Sequence, residues 1–293
     1  MSNPKWSYSR FSTFQSCRNK YNLQYIKELI VIGKEVEVAD KGLSFHQIAE
    51  QMNSKISLEE LTSIAIKDLK DREFDQEKYP ILKAIPRLYC WWHEFIIPFE
   101  NQGFTLYKET WERGIILEKP IVGALDTLLI NDKTKEVRIY DFKTGKKPDA
   151  SSYKNQLLLY AYLIGKRLNI EKISEKIKIF VFFPLANIDD NEVTNIDLAK
   201  KQSMKMMKQI IYSEEDVLKT LSEFEEIIKE DSTINWEKAD PRIDAKISFA
   251  CSWCNFAGSK QYCPISYDSG CRFPRKAQIM TKEEYEKIKN KAS

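Results

Sequence analysis

Two aspartates and a lysine in the stretch GALDTLLINDKTKEVRIYDFKTGKK, residues 123–147, have the types and spacing best suited to chemistry. Asp141 and Lys143 are two residues apart, and such residues project from the same face of a strand. Asp126 lies in the preceding apolar segment, which antiparallel pairing can bring beside Asp141. Two adjacent carboxylates repel each other, and a divalent cation relieves that repulsion. Oxygen ligands of this kind suit Mg²⁺ or Mn²⁺.

These three side chains could hydrolyse a phosphodiester. Water attacks phosphorus in line, and negative charge builds on the phosphorus oxygens and on the leaving oxygen. A metal ion can activate the water and neutralise that charge. Lys143 could orient or deprotonate the water, or stabilise the charge as a cation. A general-base role would need a depressed lysine pKa, which neighbouring carboxylates oppose. An isolated D-x-K triplet is most often a solvated hairpin, so its surroundings decide.

The segments around the triplet are predicted to be strands and one helix. Three segments rich in Val, Ile, Leu, Tyr and Phe indicate strands, at 104–111, 120–130 and 136–143. The turn-like Asn131-Asp132-Lys133-Thr134 would join the last two. Residues 152–168 carry apolar residues at helical spacing, and 176–184 is predicted to be a buried strand ending at Pro184.

Helices are predicted on both sides of these strands. They comprise a helix capped by Ser7 and carrying Phe11, Phe14, Tyr21 and Tyr25, a helix from Leu43 to Met52, a third from Ile81 to Phe99 broken by Pro86 and Pro98, an amphipathic helix over 213–230, and a terminal helix near Thr281, where Thr281-x-x-Glu284 fits a capping box. This order predicts an α/β core wrapped by helical segments.

Composition predicts a soluble globular protein, since 43% of the 293 residues are hydrophobic and 30% are charged. No stretch has the roughly 18 apolar residues of a membrane helix, and the N-terminus lacks a signal-peptide pattern. We therefore expect an intracellular, cytoplasmic protein without a membrane partner. The net charge of +3 does not by itself indicate nucleic-acid binding. A local basic cluster would favour a phosphate backbone, although such hairpins also serve solubility; its members are Lys133, Lys135, Arg138, Lys143, Lys146 and Lys147.

Four of the six cysteines cluster near the C-terminus: Cys251, Cys254, Cys263 and Cys271. An intracellular chain keeps its thiols reduced, so disulfides are not expected. Cys251-x-x-Cys254 followed by Cys263 suggests three ligands of a metal centre, with Cys271 as an alternative to Cys263. Thiolates suit an iron–sulfur cluster or Zn²⁺. The structural alternative is a set of reduced cysteines in a core, which is the role expected of Cys90.

Taken in order, the motifs resemble the RecB-like branch of the PD-(D/E)xK nuclease superfamily, which includes the RecB and AddB nuclease domains and the CRISPR-adaptation nucleases. The matching motifs are Gly42-x-x-x-His46-x-x-x-Glu50, Gly123-x-x-Asp126, Asp141-Phe142-Lys143 and Gln156-x-x-x-Tyr160. The resemblance extends from Cys17 to Cys263. It implies an α/β, restriction-endonuclease-like core, a mixed central sheet flanked by helices, with helical N-terminal and cysteine-rich C-terminal elements.

The resemblance also implies roles for individual residues. His46, Asp126, Asp141 and the backbone carbonyl of Phe142 would bind the catalytic metal ion, and Lys143 would be the catalytic lysine. Gln156 and Tyr160, one helical turn apart, would help to position the DNA strand and the lysine. Glu109 is a further candidate for contact with metal or water. Gly42 would permit a close backbone approach one turn before His46. His93 is assigned to packing among Trp91, Trp92 and Phe95.

A cysteine staple is implied in the same way. Cys17 would join Cys251, Cys254 and Cys263 around a [4Fe–4S] cluster, as in AddB and the CRISPR-adaptation nucleases, with Zn²⁺ as the alternative. The link would tie the N-terminal helices to the C-terminal segment and remove loop entropy from the unfolded chain. Its expected role is structural.

We therefore expect a single nuclease domain over 1–293, with a helical part over 1–100, a catalytic core over 104–185 and a cysteine-cluster segment over 245–275 that closes onto Cys17. Its expected function is Mg²⁺- or Mn²⁺-dependent hydrolysis of DNA. It would be an exonuclease on single strands or duplex ends, in recombination, repair or phage DNA processing, and in the host cytoplasm if phage-encoded.

Partners and alternatives follow from the same motifs. The chain has no G-x-x-x-x-G-K-[ST] pattern, so a helicase or recombination partner would be a separate protein. One alternative is a non-catalytic DNA-binding or scaffold subunit that retains the fold. Another is a zinc-stapled interaction module in which the hairpin carboxylates are incidental.

Overall fold

The structure is a computed structural model that describes residues 5–32, 37–72, 80–248, 251, 254–272 and 277–292. The side chains of 37–41, 291 and 292 lie outside that description. The predicted cysteine segment 245–275 is described only in part, because 249, 250, 252, 253 and 273–275 fall outside the described residues.

Helices and strands alternate along the described chain much as the patterns predict. The helices are α1 Tyr8–Ser16, α2 Arg18–Tyr21, α3 Glu37–Glu50, α4 Leu58–Asp71, α5 Ile81–Phe95, α6 Ile97–Glu100, α7 Lys154–Leu168, α8 Ile173–Lys176, α9 Ile196–Met206, α10 Glu214–Thr233, α11 Pro241–Asp244, α12 Pro264–Asp268 and α13 Lys282–Ala292. The strands are β1 Leu29–Ile32, β2 Thr105–Ile116, β3 Lys119–Asn131, β4 Glu136–Phe142, β5 Ile177–Phe182, β6 Met207–Ile210 and β7 Gln278–Thr281.

Five strands form a mixed central sheet in the order β2-β3-β4-β5-β6. The β3–β4 and β5–β6 pairs are antiparallel, whereas β4 and β5 are parallel. The predicted turn joins β3 to β4, where the Asn131 side chain accepts hydrogen bonds from the backbone N–H groups of Lys133 and Thr134. Trp91 of α5 packs on the sheet against Phe142 and Phe182. The predicted fold class, a mixed sheet flanked by helices, is confirmed.

Helix α7 makes the crossover that two parallel neighbours require between β4 and β5. Its leucines at 157, 158, 159 and 163 are buried. The helix ends at Asn169, which takes a left-handed conformation with φ of 54° and donates from its backbone N–H to the helix carbonyls. This crossover brings the first turns of α7 to the end of β4, where Asp141 and Lys143 lie.

Two helix breaks differ from the sequence prediction. The predicted break at Pro86 is wrong, because Pro86 lies inside α5. One lost backbone hydrogen bond is outweighed there by burial of the helix's apolar side chains. The actual break falls at Ile96, just before Pro98 in the first turn of α6. The first predicted helix is divided at Cys17, whose extended backbone, with φ of −164°, separates α1 from α2.

A fully buried ion pair fixes the chain that follows β5. Arg87 of α5 pairs with Glu192 through two nitrogens, and neither side chain is exposed to solvent. The same guanidinium donates to the backbone carbonyls of Pro184, Ala186 and Asn187. These contacts satisfy the donors of a cation that would otherwise be costly to bury.

The chain forms two compact units, each built from separated segments. One comprises 1–36, 115–121 and 222–293, and the other comprises 37–114 and 122–221. In the first unit, β1 pairs antiparallel with β7, and the sequence analysis predicted neither strand. The predicted capping box follows β7, where the backbone N–H of Glu284 donates to the Thr281 hydroxyl at 3.2 Å. The division into one nuclease domain with three parts stays a prediction.

None of the described helices is both long and apolar enough to cross a bilayer.

Candidate active site

An imidazole and two carboxylates converge in the second unit. His46 on α3 places Nδ1 3.2 Å from Asp126 Oδ1 on β3 and 3.5 Å from Glu109 Oε1 on β2. One ligand atom from each of the three lies within 4.8 Å of the other two. This set matches the side chains that hold divalent cations in proteins, neutral imidazole and carboxylate oxygen. The three residues come from three different elements, so the fold rather than local sequence brings them together.

Glu109 reaches this cluster through an unusual backbone conformation. Its φ is 43°, in the left-handed region that a side chain other than glycine rarely adopts. Such a residue interrupts the alternation of a strand and redirects its side chain, as in a β-bulge. Strained positions of this kind are common at functional sites. Nothing in the sequence KETWERG signals the conformation.

Asp141 and Lys143 lie beside this cluster and are connected to it through Asp126. The Asp126 Oδ2 accepts a hydrogen bond of 2.5 Å from the backbone N–H of Phe142, which leaves Oδ1 directed at His46. Lys143 Nζ lies 2.8 Å from Asp141 Oδ2, and the Asp141 side chain is buried. The Lys143 ammonium also lies 4.8 Å from the centre of the Tyr153 ring. A cation at this distance from a ring is attracted to it, which restrains the amine.

The carboxylates of the site favour bound positive charge, as the pKa shifts of three side chains indicate. Burial works to lower the pKa of His46, but the hydrogen bonds that its ring donates to Asp126 and Glu109 outweigh burial and raise the pKa to about 10. Burial, followed by repulsion from Asp126, raises the pKa of Asp141 to about 6 despite Lys143. Burial also works to lower the pKa of Lys143, yet Asp141 and Asp126 together raise it above its usual value. Without a metal ion, the acids therefore draw protons or ammonium groups to themselves.

A divalent cation fits this donor set. The imidazole proton is the one obstacle, because only the neutral ring binds a metal, and a cation would have to displace that proton. Repulsion between the half-buried carboxylate of Asp126 and the buried carboxylate of Asp141 would fall when such a cation binds. The residues present therefore suit the ion on both charge and ligand type.

The sequence matches the family model of the PD-(D/E)XK nuclease superfamily over residues 5–264. The chain belongs to this superfamily. Members use divalent metal ions, in agreement with the acidic cluster described above. A search of curated proteins found no significant match. A solved structure from Eubacterium rectale, described as a "Putative exonuclease", is 12% identical, covers 84% of this chain and 90% of its own, and aligns with a TM-score of 0.46.

The nuclease's Gln156 and Tyr160 lie beside this site, linked to each other. Gln156 Nε2 donates to the Tyr160 hydroxyl at 3.0 Å. The Tyr160 ring occupies the space that a side chain at position 123 would fill, since a Cβ added to Gly123 would come within 2.4 Å of it. This close approach gives the physical reason for the glycine in Gly123-x-x-Asp126, because only a residue without a side chain lets the Tyr160 ring pack against the strand. Burial raises the pKa of Tyr160, so the phenol stays protonated.

One expectation about the nuclease's helical residues needs correction, the one for Gly42. An added Cβ on Gly42 would lie 3.7 Å from Thr144 Oγ1, which is ordinary contact, so close backbone approach does not require glycine there. His93 packs with its ring 4.3 Å from that of Tyr89, a neighbour that the sequence analysis did not name. Cys90 is buried, as expected of a small hydrophobic residue. Glu109, the further candidate for contact with metal or water, lies 3.5 Å from His46 Nδ1.

Four cysteines of the first unit line one small cavity of about 30 Å³: Cys17, Cys251, Cys254 and Cys263. None of the chain's six cysteines, all of which are described, forms a disulfide. Burial raises the pKa of the Cys254 thiol. The neighbouring Cys17 and Cys263 thiols raise it further. The helix break at Cys17 turns its sulfur towards the start of α2, where it accepts from the Lys20 N–H at 3.4 Å. Four thiols around one cavity suit a thiolate-bound metal centre.

Proposed function

We propose that this nuclease hydrolyses DNA phosphodiester bonds with Mg²⁺ or Mn²⁺ at the cluster of His46, Glu109 and Asp126. The observation that carries the proposal is the convergence of these three side chains within 4.8 Å, beside the Asp141–Lys143 pair. A scaffold subunit would have no need to keep a strained glutamate beside the carboxylates of Asp126 and Asp141, because repulsion between the carboxylates costs stability.

The proposed roles follow from position and charge. His46, Glu109 and Asp126 would hold the cation, with Asp141 and the Phe142 carbonyl as the further ligands implied by the family resemblance. When bound, the cation would supply Lewis acidity that activates water and neutralises the developing charge. Lys143 would act as a cation that binds a phosphate oxygen or orients the water, because its raised pKa disfavours a general-base role. Gln156 and Tyr160 would position the DNA strand and the lysine.

We further infer an exonuclease that works on single strands or duplex ends, in recombination, repair or phage DNA processing. This inference rests on the resemblance to the RecB-like branch. A helicase or recombination protein would be a separate partner, since the sequence carries no P-loop pattern.

We propose that Cys17, Cys251, Cys254 and Cys263 hold a [4Fe–4S] cluster, with Zn²⁺ as the alternative. Their shared cavity supports the set, and Cys263 rather than Cys271 is among its lining residues. The centre would be structural and would join segments that lie far apart in sequence.

The function is tested by incubating the purified full chain with end-labelled single-stranded and duplex DNA. We expect cleavage with Mn²⁺ or Mg²⁺ that EDTA abolishes and that added metal restores, because the carboxylates need a divalent partner. Release of labelled mononucleotides or short fragments from an end would identify an exonuclease. The proposal would be refuted if DNA stayed intact with either metal ion in a preparation that is folded and whose cysteine centre is occupied by metal.

The cysteine centre is tested by anaerobic purification followed by metal analysis. We expect a brown protein that absorbs near about 400 nm and contains iron and sulfide, as thiolate-bound clusters do. Cys17→Ser should lower the iron content markedly, whereas Cys90→Ser is the matched control because Cys90 lies in α5. A colourless, zinc-loaded protein would select the alternative, and a metal-free one would exclude both.

A further inference from the structure

A large aromatic side chain stands in solvent on the strand that carries Glu109. Trp111 on β2 is 63% exposed, and it follows the candidate metal ligand by two residues. Tryptophan is among the side chains that are most buried on average in proteins. An indole exposed to this degree is therefore a candidate for contact with a ligand. β2 is the first strand in the order of the sheet.

The face from which Trp111 projects is fixed by its neighbours. Glu112 accepts two hydrogen bonds from Arg167 of α7, at 2.7 and 2.9 Å. A Cβ added to Gly114 would come within 2.6 Å of Leu163, also on α7. Successive residues of a strand point to opposite faces. Trp111 therefore projects away from α7, and the exposed Arg113 does the same.

This face is the one from which Glu109 reaches His46 of the metal cluster. Lys108 donates to the backbone carbonyls of Glu50 and Met52 at the end of α3, and the next residue, Glu109, contacts His46 of the same helix. Two consecutive residues can reach the same helix because the left-handed backbone of Glu109 interrupts the alternation. Regular alternation then resumes, so Trp111 shares the face of Glu109, about 7 Å further along the strand.

We propose that Trp111 stacks on a base of single-stranded DNA whose neighbouring phosphodiester lies at the metal cluster, with Arg113 contacting the backbone. This inference rests on the proposed nuclease function and specifies its substrate. An exposed indole offers a flat apolar surface that every base can cover, and arginine complements the phosphate charge. In a duplex, each base is already stacked between its neighbours, so the platform favours an unpaired strand.

Tyr107 provides a matched control on the same strand. It is 41% exposed and therefore also an aromatic group in solvent. Tyr107 lies before Glu109, in the part of β2 where side chains alternate regularly. Because the next residue, Lys108, points to α3, Tyr107 projects from the opposite face of the sheet. Removing it should not affect DNA held at the metal cluster.

The test compares binding of two fluorescein-labelled strands of equal length by fluorescence anisotropy, with Ca²⁺ replacing Mn²⁺ to limit cleavage. One strand is oligo(dT), and the other is an abasic tract that has the phosphates but no bases. We expect the wild-type chain to bind oligo(dT) about 10-fold more tightly than the abasic tract. Trp111→Ala should bind both strands with the weaker affinity, Trp111→Phe should restore most of the difference, and Tyr107→Ala should behave as wild type.

Two results would overturn the inference while leaving the nuclease proposal intact, provided that the wild type cleaves DNA. One is unchanged binding of oligo(dT) by Trp111→Ala. The other is equal weakening of oligo(dT) and abasic binding, which would indicate a general disturbance rather than stacking. A wild-type chain that neither binds nor cleaves any DNA would remove both proposals. Thermal unfolding of Trp111→Ala should match wild type, because the side chain is mostly in solvent.

Discussion

Asparagine in place of Asp126 is expected to slow DNA cleavage by about three orders of magnitude while leaving the protein folded. Asp126 meets His46 through Oδ1 and the backbone N–H of Phe142 through Oδ2. Asparagine has nearly the same shape but no charge, so it would weaken the hold on a divalent cation. Its amide can also present only one acceptor oxygen, and one of the two contacts is lost.

Single-turnover cleavage of labelled DNA across a Mn²⁺ titration measures this effect. Asp132→Asn is the matched control, because Asp132 lies exposed in the turn between β3 and β4 and loses the same charge. It should cleave within about twofold of wild type, as expected for a surface carboxylate outside the site. Lys143→Ala and Asp141→Ala should both abolish cleavage. Wild-type rates in Asp126→Asn and Lys143→Ala together would rule out the assigned site.

Methionine in place of Arg87 is expected to lower the free energy of unfolding by about 3–5 kcal/mol. The guanidinium is the buried partner of Glu192, and it also satisfies three backbone carbonyls after β5. Its removal leaves the buried Glu192 carboxylate without a counter-ion, although the Asp189 N–H still donates to it, and it leaves the three carbonyls without the guanidinium. A loss of this size is a large share of the roughly 5–15 kcal/mol that stabilises a typical protein.

Urea denaturation followed by tryptophan fluorescence measures the change. Lys83→Met is the matched control, because Lys83 pairs with Asp190 at 2.6 Å in the same region but is exposed. That pair should contribute less than about 1 kcal/mol. The double change Arg87→Met with Glu192→Leu should recover part of the loss, since no charge is then left buried. An Arg87→Met midpoint equal to that of Lys83→Met would contradict the role assigned to the pair.

The parts of the fold that sequence predicted are those with strong local patterns. The β3–β4 hairpin combines alternating apolar residues with an Asn-Asp turn, and α7 carries leucines at helical spacing. Because Asp141 and Lys143 lie in β4 and directly after it, the placement of these two residues followed from that pattern. The contact of His46 with Asp126 joins two elements that are far apart in sequence, so the spacing of apolar residues cannot predict it. Only the order of the motifs along the chain suggested it.

What sequence did not predict depends on contacts between distant residues. Strand β6 has four residues, MKQI, and forms because β5 offers a pairing edge. The left-handed Glu109 is held by its contact with His46, which overrides the preference of a glutamate for other backbone conformations. Pro86 remains helical because α5 is anchored on the sheet. In each case tertiary packing outweighs a local propensity.

The pairing of β1 with β7 has a consequence for how the protein is made. Residues 29–32 leave the ribosome before residues 37–221, and their partners at 278–281 leave after them. The segments that carry the candidate catalytic side chains, 37–114 and 122–221, emerge complete well before that. Domains tend to fold as units during translation, N-terminal first. We therefore expect the nucleolytic half to be assembled while β1 still waits for its partner strand, so a chaperone that shields nascent apolar segments would act on β1 during that interval.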